Sequence, residues 1–308
     1  MMRVWCLVVA ATLAALSFGA AAAEPPLTVP FDFSRHEIGV NVTVKGTPLF
    51  MLIDSGVDPS IIDLAHAQAL GLPVDRSHAG EGSGFGSGKA VVFEGTLKGL
   101  KIGGRPFADF ETLALDTAAI SKGYGRPIDG VLGYSFLKDK TILIDYAART
   151  LTVLPDAHAV DAITRQCRKH ITIPLRFLGD DHWPAIADFR FGDVAALVTL
   201  DTGSSRTIGF YPVALQQKAI RDALNVTGTN VGSGARGRFT SKTAILRVPV
   251  ALGPFRLAAG TTVSILPANG ASDKVIANIG NSTFADMTPK MLLNYAGKRI
   301  GFYGDCGG

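Results

Sequence analysis

The chain has 308 residues, 47% hydrophobic and 18% charged, which is enough apolar surface for two domains or one large bilobal one and too much for a disordered chain. The net charge of +4 has no dense Lys/Arg run behind it. Its richest patch, Arg165 to His170 (RQCRKH), reads as a short solvated linker, so no nucleic-acid partner is expected. Glycine, at 35 residues, follows no collagen period and points instead to turns and hairpins.

Residues 1–23 read as a signal peptide. Arg3 supplies the positive start, Val4 to Leu16 the apolar run, and Ala21-Ala22-Ala23 a small-residue cleavage site before Glu24. The rival reading, an uncleaved anchor, has against it that the run is broken by small residues and falls short of the ~20 residues of a membrane span. The expectation is an exported protein, periplasmic or secreted, with no stable membrane insertion after cleavage. Residues 24–35 leave little room for a long pro-segment, so signal removal alone is expected to give the final form.

Downstream of the signal, short alternating strands dominate. Val40 to Val44, a Lys45-Gly46 turn and Pro48 to Asp54 read as a hairpin whose second strand is buried on both faces. An Asp63-capped helix LAHAQAL stops at Gly71. Strands follow at Ala90 to Leu97, Leu100 to Ile102, Phe107 to Leu115, Thr141 to Tyr146 and Thr150 to Leu154, and Pro212 opens a longer helix through Leu224. The class is all-β with minor helices. Cys167 and Cys306 remain after signal removal. In an exporting context they either bridge, closing a loop of 139 residues, or stay as two buried thiols.

The chain repeats itself. Leu52-Ile53-Asp54-Ser55-Gly56 recurs 147 residues later as Thr199-Leu200-Asp201-Thr202-Gly203, and Val131-Leu132-Gly133 recurs at the same offset as Asn278-Ile279-Gly280. Leu100 to Gly104 echoes Val250 to Pro254, and Ile144 to Leu151 (IDYAARTL) echoes Leu293 to Ile300 (LNYAGKRI). Four landmarks in one order describe a duplication with its seam near residues 156–168. The lobes are expected at 24–158 and 159–308.

Composition alone yields about 0.3 copies of Asp-(Ser/Thr)-Gly by chance; two are present, each behind an apolar strand and at the matching place in its repeat. One copy alone is an ordinary strand-to-turn. Packed about a pseudo-twofold axis, the pair would set Asp54 beside Asp201. Like charges about 3 Å apart cannot both ionise, so such a pair holds one proton over a wide pH range. One member can then take a proton from water while the other donates one to a carbonyl oxygen or a leaving amine. Ser55 and Thr202 offer hydroxyls to lock the facing turns, and Gly56 and Gly203 let the backbones approach.

On these motifs the chain resembles an aspartic protease of the retropepsin-like and pepsin-like superfamily, with two fused lobes, over nearly all of residues 30–305. Two carboxylates sharing a proton is that family's established chemistry. The resemblance implies a bilobal, acid-protease-like double β-barrel with internal pseudo-twofold duplication, and a polypeptide substrate in the cleft between lobes. It implies Asp54 and Asp201 as the catalytic pair of an aspartic endopeptidase without metal or organic cofactor. Ser55, Gly56, Thr202 and Gly203 would support them. The Gly-rich stretch Gly80 to Gly88, with Gly82, Gly84, Phe85 and Gly86, falls where the family has its flap, and Gly232 to Gly237 is its counterpart. One chain supplies both carboxylates, so activity as a monomer is expected.

Three departures set the chain apart from the family, and two of them, Val57 and Asn278, point to the alternative, an inactive peptide-binding scaffold. Val57 stands where the family has Ala or Ser and is expected to crowd the cleft floor. Asn278 replaces an apolar residue, and neither Gly-rich segment carries a tyrosine, so the flap tyrosine has no clear match and Phe85 stands only as a candidate substitute.

Other motifs fail on context. Gly232 to Gly237 matches G-x-G-x-x-G but precedes a strand and has no acid until Asp273. No G-x-S-x-G elbow exists. His36-Glu37 opens like a zinc-protease motif, but Val40 stands where the second His belongs. Three Asn-x-(Ser/Thr) sequons, at Asn41, Asn225 and Asn281, matter only in a host that glycosylates exported chains.

Overall fold

The computed structural model describes residues 24–155, 157–267 and 275–307; the expected signal segment lies outside them. The strand Thr47–Ile53 (TPLFMLI) has its last five side chains buried, as a strand covered on both faces must. It pairs antiparallel with Ile38–Val44 and parallel with Gly130–Leu132. The equivalent strand of the second half, Val194–Asp201, pairs antiparallel with Trp183–Phe191 and parallel with Ala277–Gly280. Val131 lies opposite Leu52 and Asn278 opposite Thr199, so both parallel ladders share one register at the repeat offset.

The duplication extends through both sheets. In the first half the path runs Ala90–Leu97, Phe110–Leu115, Ile61–Asp63, Gly130–Leu132, Thr47–Ile53, Ile38–Val44, Leu100–Ile102, Arg105–Pro106. In the second it runs Gly237–Leu246, Thr261–Ile265, Ile208–Phe210, Ala277–Gly280, Val194–Asp201, Trp183–Phe191, Val250–Leu252, Phe255–Leu257. These are the same eight places in the same order. The paths are open and do not close into barrels, within the mostly-β, duplicated bilobal architecture expected from the sequence. In the first half the edges are Gly80–Gly82 and Arg105–Pro106: short strands, one ending in a proline without an N–H, cannot form a closing ladder. One apolar core runs through both halves, from Val40, Ile53 and Phe136 to Phe189, Leu200 and Phe284.

Local differences from the sequence reading have local causes. The expected strand from Phe107 begins at Phe110, because the Phe107 N–H closes the preceding turn on the Leu100 carbonyl. The single helix expected from Pro212 is a 3-10 turn, Pro212–Gln216, followed by a helix, Lys218–Ala223, broken at an extended Gln217. Ala214 and Ile220 both enter the core, and a six-residue spacing does not put two side chains on one α-helical face. Asp63 does cap its helix, accepting from the N–H groups of Ala65 and His66.

The seam is structured. The patch expected to be a linker ends a helix, Ala157–Gln166, and begins a strand, Cys167–Pro174. Ladder pairing with Arg299–Cys306 orders it. A six-stranded sheet joins the halves, with Leu27–Pro30, Thr150–Leu154 and Thr141–Asp145 from the first and Lys290–Asn294, Arg299–Cys306 and Cys167–Pro174 from the second. At its centre Asp145 lies opposite Lys290, and their side chains form an ion pair. At its edge Cys167 and Cys306 are disulfide-bonded across a separation of 139 residues. Replacing both cysteines by serine should lower unfolding stability by up to about 4–5 kcal/mol, the loop-entropy value for such a crosslink; denaturant titration of oxidised wild type against the double variant measures it.

Candidate active site

Each Asp-(Ser/Thr)-Gly turn follows directly on a central buried strand, so the strand fixes where its carboxylate points. The turns face each other. Ser55 Oγ donates to the Leu200 carbonyl at 3.0 Å and accepts from Thr202 N at 3.0 Å. Thr202 Oγ1 donates to the Ile53 carbonyl at 2.9 Å and accepts from Ser55 N at 2.9 Å. Both hydroxyl residues are buried, and the exchange is symmetric.

This lock brings Asp54 and Asp201 side by side. A methyl group placed on Gly56 would touch both carboxylates, at 3.2 Å each, and one on Gly203 would overlap Asp54. No side chain fits at Gly203, and one at Gly56 would press the carboxylates aside. Gly56 N donates to Asp54 Oδ1 at 2.7 Å and Gly203 N to Asp201 Oδ1 at 3.1 Å. Symmetry ends at the outer oxygens: Asn278 Nδ2 donates to Asp201 Oδ2 at 2.7 Å, while Asn278 Oδ1 accepts from Thr199 Oγ1 at 3.1 Å. The equivalent residue of the first half, Val131, has no donor.

The electrostatics follow. Burial, then the adjacent Asp201 charge, hold the Asp54 carboxyl well above the usual range. Burial also raises Asp201, but the Asn278 hydrogen bond, and after it Asp54 and Gly203 N, work in the opposite direction. A donor aimed at a carboxylate favours its ionised form. The pair therefore carries its proton on Asp54 and its charge on Asp201.

Two further charged groups lie beside the pair. The Glu37 carboxyl is pushed up to about 7, mainly by burial; the Ser205 hydroxyl opposes this, and the Asp201 charge adds to it. Arg206, five residues after Asp201, feels the charges of both Asp201 and Glu37, while burial pulls its pKa down. Its guanidinium sits 4.6 Å from the Phe239 ring centroid and against Gly232. The sequence reading set Glu37 aside with a failed zinc motif and passed over Arg206. A signal for Arg206 did exist: at the repeat offset it replaces Pro59. Among the described residues, no three or more His, Cys, Asp or Glu side chains gather as metal ligands.

The Gly-rich segments meet. Phe85 stacks on Phe239 with centroids 5.0 Å apart. Gly88 N donates to the Arg236 carbonyl at 2.7 Å, and Arg236 N donates to the Phe85 carbonyl at 3.1 Å. Arg236 Nε donates to the Gly88 carbonyl at 2.8 Å, and its guanidinium pairs with Glu81 at 3.3 Å. Gly86, at φ 129°, touches the Arg236 backbone, so any side chain there is excluded twice over. Gly84, at φ 121°, lies against Ala235, and Gly82 ends the short edge strand. Val57, expected to crowd the floor, instead packs against the Leu52, Ile61 and Val131 cluster inside the first lobe.

Residues 40–136 match the family model described as aspartyl protease. No curated protein matches the chain by sequence. Among solved structures, basic 7S globulin from soybean superposes with a TM-score of 0.50 at 12% identity, covering 91% of this chain and 95% of that one. The chain shares its fold with that structure, and its residues 40–136 are similar to aspartyl proteases. The sequence match lies within the first half, and the structural likeness extends the fold to both.

Replacing Asn278 by leucine should raise the pH at which the Asp201 carboxyl ionises, because its anion loses a donor; a carboxyl titration followed by NMR that does not move would mean that Asn278 does not bias the pair. Glu37 binds its proton more tightly in the folded chain, about 7 against an ordinary 4.5. Its contribution is complete below that ordinary value and is lost as pH rises through about 7. Glu37→Gln should therefore match wild type at about pH 4 and exceed it by up to roughly 3 kcal/mol at about pH 8. Chemical denaturation at both pH values reads the difference.

Proposed function

We propose that the chain is an aspartic endopeptidase that hydrolyses peptide bonds with the Asp54–Asp201 pair and no metal or organic cofactor. The observation that carries this reading is the reciprocal Ser55–Thr202 lock, which holds two carboxylates together where each alone would be a costly buried charge. With charge on Asp201 and a proton on Asp54, a water between them loses a proton to Asp201 as its oxygen bonds the substrate carbonyl carbon. Asp54 gives its proton to the carbonyl oxygen. The tetrahedral species then collapses: Asp54 recovers that proton as the C=O reforms, the C–N bond breaks, and Asp201 passes its proton to the leaving nitrogen. Atoms and charges return to their starting state.

The polypeptide would lie extended in the cleft between lobes 24–158 and 159–308, beneath the Gly82–Gly86 segment, adding as a strand. Export through residues 1–23, to the periplasm or the medium, agrees with the disulfide. Both carboxylates come from one chain, so each molecule would build its own site as a monomer.

The second reading, a peptide-binding scaffold without turnover, is favoured by the glycine tips bonded to each other across the lobes. A peptide library spanning about pH 3 to about pH 7 separates the two. Cleavage by wild type, lost in both Asp54→Asn and Asp201→Asn, supports the enzyme; binding without cleavage supports the scaffold. Mixing the two inactive variants should restore nothing, and recovery of a sizeable fraction of the wild-type rate would show that halves pair between chains.

A further inference from the structure

We infer that Arg206 is a substrate-recognition residue, and that the cleft selects polypeptides carrying a carboxylate close to the scissile bond. This deepens the endopeptidase reading and rests on its placement of the substrate.

Arg206 lies between the Asp201 turn and the strand Ile208–Phe210. Its guanidinium reaches the second glycine hairpin, against Gly232 and over Phe239. Phe239 in turn stacks on Phe85 of the other lobe, so the cation sits between the carboxylate floor and the joined tips. Arg236, in that same hairpin, spends its guanidinium on Gly88 and Glu81. Arg206 does not. Among the described residues its side chain makes no hydrogen bond and no ion pair within 4.0 Å; it packs over the Phe239 ring and against Gly232. A guanidinium offers five donors in a planar fork that fits a carboxylate through two parallel bonds.

Two acidic groups face Arg206, Asp201 and Glu37, and neither satisfies it. Asp201 is bonded to Asn278 and Gly203. Glu37 holds its proton up to about 7, so below that the Asp201 charge, already hydrogen-bonded elsewhere, alone faces the guanidinium. Burial makes an unpaired cation costly. An arriving carboxylate would relieve that cost, whereas a substrate ammonium would increase it. The carboxylate has two possible sources, an Asp or Glu side chain or the free C-terminus of a short peptide.

The test uses peptides that differ only by Glu against Gln at each position flanking the cleaved bond, each with a free and an amidated C-terminus. Cleavage by wild type and binding to Asp54→Asn, by fluorescence anisotropy, are measured in parallel. We expect a Glu peptide, or the free-terminus form, to be favoured by about ten-fold or more in kcat/KM and in affinity. Whichever pair shows the difference identifies the source. Arg206→Met, which keeps an unbranched chain over Phe239, should bring the ratio to about one. Arg206→Lys, a point charge without the fork, should leave an intermediate ratio and guards against misfolding of the methionine variant. A Glu/Gln and free/amide preference near one in the unmodified cleft overturns the inference, as does a preference that survives Arg206→Met or the absence of binding to any acidic peptide. Absent cleavage with a binding preference that depends on Arg206 would sink the endopeptidase reading alone.

Discussion

Ser55 and Thr202 each use one hydroxyl twice, donating to a carbonyl of the opposite lobe and accepting an N–H from it. Each such bond is worth about 1 kcal/mol net, but a buried donor left without its partner costs about 1–3 kcal/mol. The lock is therefore all or none. Its geometry sets the closeness of Asp54 and Asp201, the tight fit at Gly56 and the need for glycine at position 203, and the elevation of the Asp54 carboxyl by the Asp201 charge. Below it, the six-stranded sheet ties the lobes through the ladder between Thr141–Asp145 and Lys290–Asn294; above it, the joined glycine tips tie them again.

Duplication supplies the symmetry, and side chains then break it. The backbone at the two turns is equivalent: a methyl on Gly133 would meet the carbonyls of Val57 and Pro59, and one on Gly280 those of Ser204 and Arg206. Asp58 and Ser205 are likewise equivalent in the repeat. Asp58 reaches across to His182 at 2.7 Å, and His182 stacks on Tyr134 at 4.1 Å, so that loop fastens the lobes. The matching loop of the second half instead places Arg206 against Gly232 and Phe239 of the second glycine hairpin. Asn278 in place of an apolar residue gives one carboxylate a donor that the other lacks. Identical lobes would have no reason to place the charge on one particular aspartate.

Much of this was legible in the residues. The strand-turn units around Asp54 and Asp201 showed because a continuous apolar run ending in Asp-(Ser/Thr)-Gly is a local pattern. The duplication showed because four landmarks keep one order at nearly one offset. Asn278 was visible only as a departure, and as one it was misread. The pattern reveals a missing apolar side chain but not the Asp201 oxygen 2.7 Å from the amide.

What the sequence determines here is whatever depends on neighbours along the chain: strand periodicity, the Asp63 cap, the turns and the paired motifs. The tertiary structure alone decides the open sheet paths, the ordered seam, the meeting of the two glycine segments, and the gathering of Glu37 and Arg206 beside the carboxylates. Glu37 and Arg206 come from opposite halves of the chain, and Phe85 and Phe239 likewise. No periodicity or spacing encodes such a contact, because it exists only once the twofold packing has closed the distance.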